Sequence, residues 1–250
     1  RPRAGAGGRY GLVMAAPGGT DHVLAVDIGG TKLAAAVVGA DGAVHARRRV
    51  PTRGGDAESL YAVVRSLVDD VLGAARDAGV PPPVAVGVGS GGPMSPGGEE
   101  LSPLNIPAWR GFPLKRRLAG HTGLEVAVDN DAKALALGEG WRGAARGRTD
   151  YVAMVVSTGV GGGVVVDGRL LDGATGNAGH IGHVVVEPDG EPCACGGRGC
   201  LEAEASGTAI ARITGRPAAE ADAATVTRTG TLVGRAVASV AVLLDVPLAV

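Results

Sequence analysis

Val155 to His183 reads V-V-S-T-G-V-G-G-G-V-V-V-D-G-R-L-L-D-G-A-T-G-N-A-G-H-I-G-H. The run continues to Glu202 as V-V-V-E-P-D-G-E-P-C-A-C-G-G-R-G-C-L-E. A glycine-rich turn sits between two apolar β-type segments, and the Asp167-Gly168 pair marks a hairpin turn after the second. A histidine and a tight cysteine group follow. The first half suits a phosphate, the second a metal. The same order occurs once before: an apolar strand from Val23 to Ile28, then Gly29-Gly30-Thr31-Lys32, a strand from Leu33 to Val38, and the turn Ala40-Asp41-Gly42. The repetition predicts two duplicated halves, each offering a phosphate-holding hairpin.

Backbone amides approach phosphate oxygens closely only where side chains are absent. Gly29, Gly30, Thr31 and Lys32 supply amides, a hydroxyl and a cation; Ser157, Thr158, Gly159, Gly161 and Gly162 supply a second set. Asp27 can hold Mg²⁺ through water, because Mg²⁺ keeps several of its waters. The Walker pattern is absent, which excludes a P-loop protein. Ala43 to Val50 reads as a third strand, and three strands before any helix do not begin a dinucleotide fold.

All three cysteines, Cys193, Cys195 and Cys200, fall in one C-x-C-x4-C cluster. An odd number cannot be consumed by disulfides. Structural zinc takes four ligands, often three cysteines and a histidine. His183 is the natural fourth ligand and His180 its rival. Such a knot would pin the loop carrying His180, His183 and Glu202.

Asp56 predicts the cap of a helix with Leu60, Val63, Val64, Leu67, Val68, Val71, Leu72 and Ala75 on one face, stopped at Gly79 and Pro81. A buried strand, Val84 to Val88, leads into a long loop from Gly89 to Pro113 that carries Gly92, Asn105 and Trp109. So long a loop is usually functional, and Trp109 suits loop packing or sugar contact equally. A short basic helix from Leu114 and a strand from Glu125 to Val128 follow. They lead to Asp129-Asn130-Asp131 at the start of a helix. These residues suit helix caps, and they also stand where open α/β sheets place catalytic groups. Phosphoryl transfer to a hydroxyl needs a carboxylate to take its proton; Asp131 is the candidate, with Asn130 to orient a sugar hydroxyl. Further on, Ser206 to Thr214 and Thr231 to Leu244 read as helices, and Val246 to Val250 begins like a strand.

The 250 residues are 45% hydrophobic but only 2% aromatic, so the core must be built from aliphatic side chains. The net charge of −1 disfavours nucleic acid as a partner. No apolar run approaches the roughly 20 residues that cross a bilayer, and a cytoplasmic setting is expected. Residues 1–20 read as a loose tail, 21–125 as an N-terminal lobe and 126–250 as a C-terminal lobe.

Together these residues resemble the ROK (repressor, open reading frame, kinase) family of sugar kinases and regulators. The resemblance rests on D-I-G-G-T-K at Asp27–Lys32, D-N-D-A at Asp129–Ala132 and S-T-G-V-G-G-G at Ser157–Gly163. It rests also on G-H at Gly182–His183 and C-A-C-G-G-R-G-C-L-E at Cys193–Glu202. It covers nearly the whole chain from Val23. It implies an α/β, actin-like (ribonuclease H-like) fold of two lobes around an ATP cleft, and phosphorylation of a hexose, most often glucose at O6. It implies Asp131 as general base and His183, Cys193, Cys195 and Cys200 as zinc ligands. Sugar contacts from Asn130, Glu202 and His183, and commonly a homodimer, are implied as well. Gly92 and Asn105 are further expected substrate contacts. Two departures stand out. His180 occupies the position where the family's kinases usually carry a sugar-binding glutamate, which widens the expected substrates to N-acetylated hexosamines and raises the reading of a sugar-binding pseudokinase. The family also continues past the position of Val250 into a Gly-rich adenosine-binding segment, so a truncated C-terminal lobe is expected. A regulator would need a helix-turn-helix module ahead of the sugar domain, and about 20 residues precede the first strand. A kinase is therefore the expectation.

Overall fold

Strand β1 (His22–Ile28) alternates side chains into and out of the core, as a half-buried strand must. The computed structural model describes residues 21–250; the tail expected over residues 1–20 lies outside the described residues. β1 forms an antiparallel meander with β2 (Lys32–Gly39) and β3 (Val44–Pro51). Helix α1 (Ala57–Asp77) then crosses to β4 (Ala85–Ser90), which pairs parallel to β1. After α2 (Leu114–Thr122), β5 (Glu125–Asn130) pairs parallel to β4, giving the sheet order β3-β2-β1-β4-β5.

Local chemistry sets the ends of α1. The Asp56 carboxylate accepts the Ser59 amide at 2.8 Å, and the Ser59 hydroxyl accepts the Asp56 amide at 3.2 Å, a reciprocal cap. Leu60, Val64, Leu67, Val68 and Val71 bury the inner face of the helix. Each such side chain contributes about 1.5–3 kcal/mol by leaving water. The long connection after β4 is ordered by bridges from Leu101 to Met94 and Phe112. Trp109 is fully buried there, its ring stacked on Phe112 at 4.4 Å, and its indole N–H donates to the Ala57 carbonyl at 3.3 Å. Its role is packing, not sugar contact.

Helix α3 (Asp131–Arg142) follows β5 with no intervening loop. The second unit continues with β6 (Tyr151–Val156), β7 (Val160–Val166) and β8 (Arg169–Leu170), again an antiparallel meander. The turn between β7 and β8 holds Asp167 and Gly168 at φ 52° and 70°, as a D-G hairpin requires. Helices α4 (Leu201–Ala205), α5 (Gly207–Thr214) and α6 (Ala223–Leu244) complete it. The α6 helix starts ahead of the apolar pattern that begins at Thr231, because the Asp222 carboxylate caps it through the Thr225 amide at 2.8 Å. The last residues pair parallel to β6: the Val152 amide donates to Leu248 and the Val250 amide to Val152, both at 3.0 Å. A meander followed by a parallel return to its first strand thus occurs twice.

The two compact units divide between Asn130 and Asp131. The boundary drawn at 125/126 from the sequence falls just inside β5, after Glu125, although pairing with β4 holds the whole strand in the first unit's sheet. The buried clusters belong to one unit each. Among the described residues no helix is long and apolar enough to cross a membrane.

Candidate active site

In the first unit, the parallel register aligns Ile28 with Ser90 and Ser90 with Asn130. The turn after β1, the segment after β4 and the end of β5 therefore emerge at the same carboxyl edge of the sheet, the edge open α/β sheets use for ligands. Asp27 lies at the end of β1. The Gly29 amide donates to the Lys32 carbonyl at 3.1 Å, closing the turn. Thr52 braces it from β3's side, its hydroxyl donating to the Gly29 carbonyl at 2.6 Å and its amide to the Thr31 carbonyl at 3.0 Å. Thr31 and Lys32 stay exposed. A Cβ on Gly30 would fall 2.8 Å from the Asn105 Cβ, so Asn105, itself exposed, lies directly on the turn. Gly92 anchors the same segment through its carbonyl, which accepts the Leu104 amide at 3.1 Å.

In the second unit, Asp131 is exposed at the first turn of α3, where its carboxylate accepts the Ala132 amide at 2.9 Å. Lys133, only 1% exposed, reaches Asp172 Oδ1 at 2.7 Å and the Gly176 carbonyl at 3.3 Å, fastening the segment that leads to His180. Burial, followed by the charges of His183 and Lys133, holds the His180 ring below its ordinary pKa, while Glu202 and Asp131 pull the other way. Asp131, His180, His183 and Glu202 are thus electrostatic neighbours.

The Glu202 carboxylate accepts the Val160 amide at 3.0 Å and so ties α4 to the second glycine hairpin. The N-terminus of α5 braces the same turn: the Gly207 amide donates to the Ser157 carbonyl at 2.7 Å, and the Thr208 hydroxyl to the Thr158 carbonyl at 2.9 Å. Ser157 and Thr158 remain exposed. Gly161 and Gly162 meet a different need. A Cβ on Gly161 would fall 2.7 Å from Ala132 Cβ, and one on Gly162 2.8 Å from Ile181 Cγ2. These glycines let α3 and the Ile181 turn lie directly on opposite faces of β7, so packing alone explains them.

His183, Cys193, Cys195 and Cys200 place their donor atoms within 4.8 Å of one another. His183 Nδ1 is 3.7 Å from Cys193 Sγ, and Cys195 Sγ is 3.7 Å from Cys200 Sγ. A zinc tetrahedron with bonds of about 2.0–2.3 Å spans about 3.3–3.8 Å between ligands, so these residues fit the ion. Burial, then the neighbouring Cys195 and Cys193 thiols, push Cys200 up to about 12; the Gly197 amide draws Cys195 down. Three thiols held this tightly need a cation to ionise together. The geometry selects His183 over His180 as the fourth member. The loop depends on Gly199, at φ 68°, where a Cβ would fall 1.6 Å from the Glu187 carbonyl oxygen. It also depends on Glu204, 1% exposed, whose carboxylate accepts the Glu191 amide and an Arg228 guanidinium N–H.

Thr52, Lys133, Glu204 and Thr208 were not singled out from the sequence. Lys133 carried a signal: α3's apolar face runs through Ala132 and Ala136, and a cation beside it needs a partner.

The ROK family model matches residues 23–244. A glucokinase of Thermotoga maritima is 42% identical over 194 residues, which cover 76% of this chain and 59% of that protein. An N-acetylmannosamine kinase of Shigella flexneri is 43% identical over 210 residues, covering 83% and 69%. The ROK hexokinase of Thermus thermophilus superposes with a TM-score of 0.78 at 34% identity, over 91% of this chain and 80% of that one. The ROK glucokinase of Streptomyces griseus, solved with glucose and AMPPNP, gives 0.74 at 31%, over 91% and 81%. The chain spans 59% of the Thermotoga enzyme's length. The fold is accordingly the actin-like α/β fold of these sugar kinases, and the chain belongs to the ROK family.

Proposed function

We propose that the protein transfers the γ-phosphoryl group of ATP to a hexose hydroxyl, with glucose at O6 as first substrate and N-acetylated hexosamines as the alternative. The carrying observation is Asp131: an exposed carboxylate at a strand-to-helix junction, with His180 and Glu202 as electrostatic neighbours. In this reading Asp131 accepts the hydroxyl proton as the oxygen attacks phosphorus, and ADP leaves. The exposed Thr31, Lys32, Ser157 and Thr158 and their turn amides receive the phosphates. Asp27 would hold, through water, the Mg²⁺ that accompanies ATP, and that ion would neutralise charge on the transferred group. Asn105, Asn130, His180 and Glu202 orient the sugar, Gly92 shapes its loop, and His183 adds a sugar contact beside its zinc role. Zinc in the Cys₃His set holds the loop that ends at Glu202, and the chain works in the cytoplasm as a homodimer.

Relatives named for glucose and for N-acetylmannosamine stand at 42% and 43% identity, which supports a hexose without separating the two. A coupled assay of ADP release with a panel of glucose, mannose and their N-acetylated amines decides among them. Turnover with at least one hexose is expected. Hexose binding with no turnover across the panel would replace the kinase with a sugar-sensing protein, a role in keeping with the ROK transcriptional regulator that matches at TM-score 0.76 and 27% identity.

A further inference from the structure

At the far end of β1 from the phosphate turn, His22 takes a core-side position in the series His22, Leu24, Val26, Ile28, where an apolar residue is expected. It is 8% exposed, and its Nδ1 is buried with no hydrogen-bond partner. Nothing in the packing accounts for a polar ring kept there at that cost.

Opposite His22 on β2 stands Gly39. A Cβ at Gly39 would lie 2.7 Å from Asp41 Oδ1, 3.1 Å from His45 Nε2 and 3.6 Å from His22 Nε2. Three donor atoms therefore border the space kept open by the missing side chain, with His22 presenting Nε2 to it and its orphaned Nδ1 on the other side of the ring. Gly39 is not among the glycines with positive φ, so its backbone makes no demand for glycine. His45 reaches this point through a bulge: Val37 pairs with Ala46 and Val38 with Val44, which leaves His45 as the extra residue of β3. Bulges re-aim side chains in this way. The His22 and His45 rings are 4.9 Å apart.

We infer that His22, His45 and Asp41, converging over Gly39, form a second metal site that takes a borderline divalent transition ion such as Ni²⁺ or Zn²⁺. Two imidazoles and a carboxylate are the donor set of such ions. Bonds of about 2.0–2.2 Å require the donors to close inward. His45 is exposed and can rotate to do so, while buried His22 and Asp41, whose Oδ1 accepts the Ala43 amide at 2.9 Å, hold their places. Water completes the shell. This site is separate from the cysteine cluster, which supplies sulfur donors.

The test titrates Ni²⁺ into the full chain already loaded with one equivalent of Zn²⁺, following heat by calorimetry and donor type by X-ray absorption. One Ni²⁺ per chain is expected, with nitrogen and oxygen donors only. Affinity should fall about tenfold or more in His45→Ala, Asp41→Ala and His22→Leu, and should hold in His121→Ala, the control for an ordinary surface His–Asp pair. His22→Leu should melt at or above the wild-type temperature, because it removes the unpartnered atom. If it fails to fold, the two exposed-ligand variants carry the test. Absence of Ni²⁺ binding, sulfur in the shell, or affinity unchanged in His45→Ala and Asp41→Ala would overturn the site.

Discussion

Asp131 accepts the Ala132 amide in the first turn of α3 and still presents its carboxylate to solvent, so the base proposed for the reaction is braced by its own helix. Two residues on, Lys133 is buried while its partner Asp172 keeps 45% of its side-chain surface exposed. That asymmetry predicts unequal mutants. Asp172→Ala leaves the buried ammonium without its carboxylate, though still on the Gly176 carbonyl, and should cost up to about 3 kcal/mol, the low end for a broken buried pair because Asp172 was half solvated. Lys133→Met leaves Asp172 free to turn to water and should cost under about 1 kcal/mol. Urea denaturation measures both. Because the pair fastens the segment leading to His180, Lys133→Met should raise the KM for hexose and leave the KM for ATP unchanged; a merely structural role would move both or neither.

At the scale of elements, the glycines of β7 set how closely α3 approaches. A Cβ on Gly163 would fall 2.7 Å from Ala136 Cβ, so Gly163→Ala should cost about 1–3 kcal/mol by overpacking, read as a fall in Tm. The second element-scale prediction concerns the metal loop. Gly199→Ala cannot coexist with the Glu187 carbonyl, so bound zinc after dialysis should drop well below the one equivalent expected of the native chain. Much of this layout was legible beforehand. The two meanders, α1 and its cap, and the cysteine cluster all announce themselves through short-range chemistry: period-two alternation, a capping aspartate, a spacing that suits a metal. What stayed hidden was long-range. Glycine reads the same whether it faces a phosphate or a helix, so Gly161 and Gly162 carried a ligand reading that packing explains as well. Thr52 braces a turn more than twenty positions away in sequence, and Trp109 is buried by Phe112 and α1, which no local pattern encodes. The early start of α6 was missed because Ala223 to Thr227 carry no apolar stripe, although Asp222 marks the cap.

Across the whole molecule, one strand plan is used twice, and each unit buries a core of its own residues. Only the second contains the Cys₃His group. In a chain loaded with a single equivalent of zinc, which the Cys₃His group takes, removing that ion with a chelator should therefore lower the melting of the second unit and leave the transition of the first in place, which scanning calorimetry resolves; a uniform shift of both would contradict it. In the proposed reaction the Asp131 carboxylate takes a proton from a sugar hydroxyl. Asp131→Asn keeps the size of the side chain and removes the base. Steady-state ADP release, with hexose affinity measured in parallel by calorimetry, should show turnover reduced roughly 10²–10⁴-fold with hexose binding retained; wild-type turnover in Asp131→Asn would contradict it.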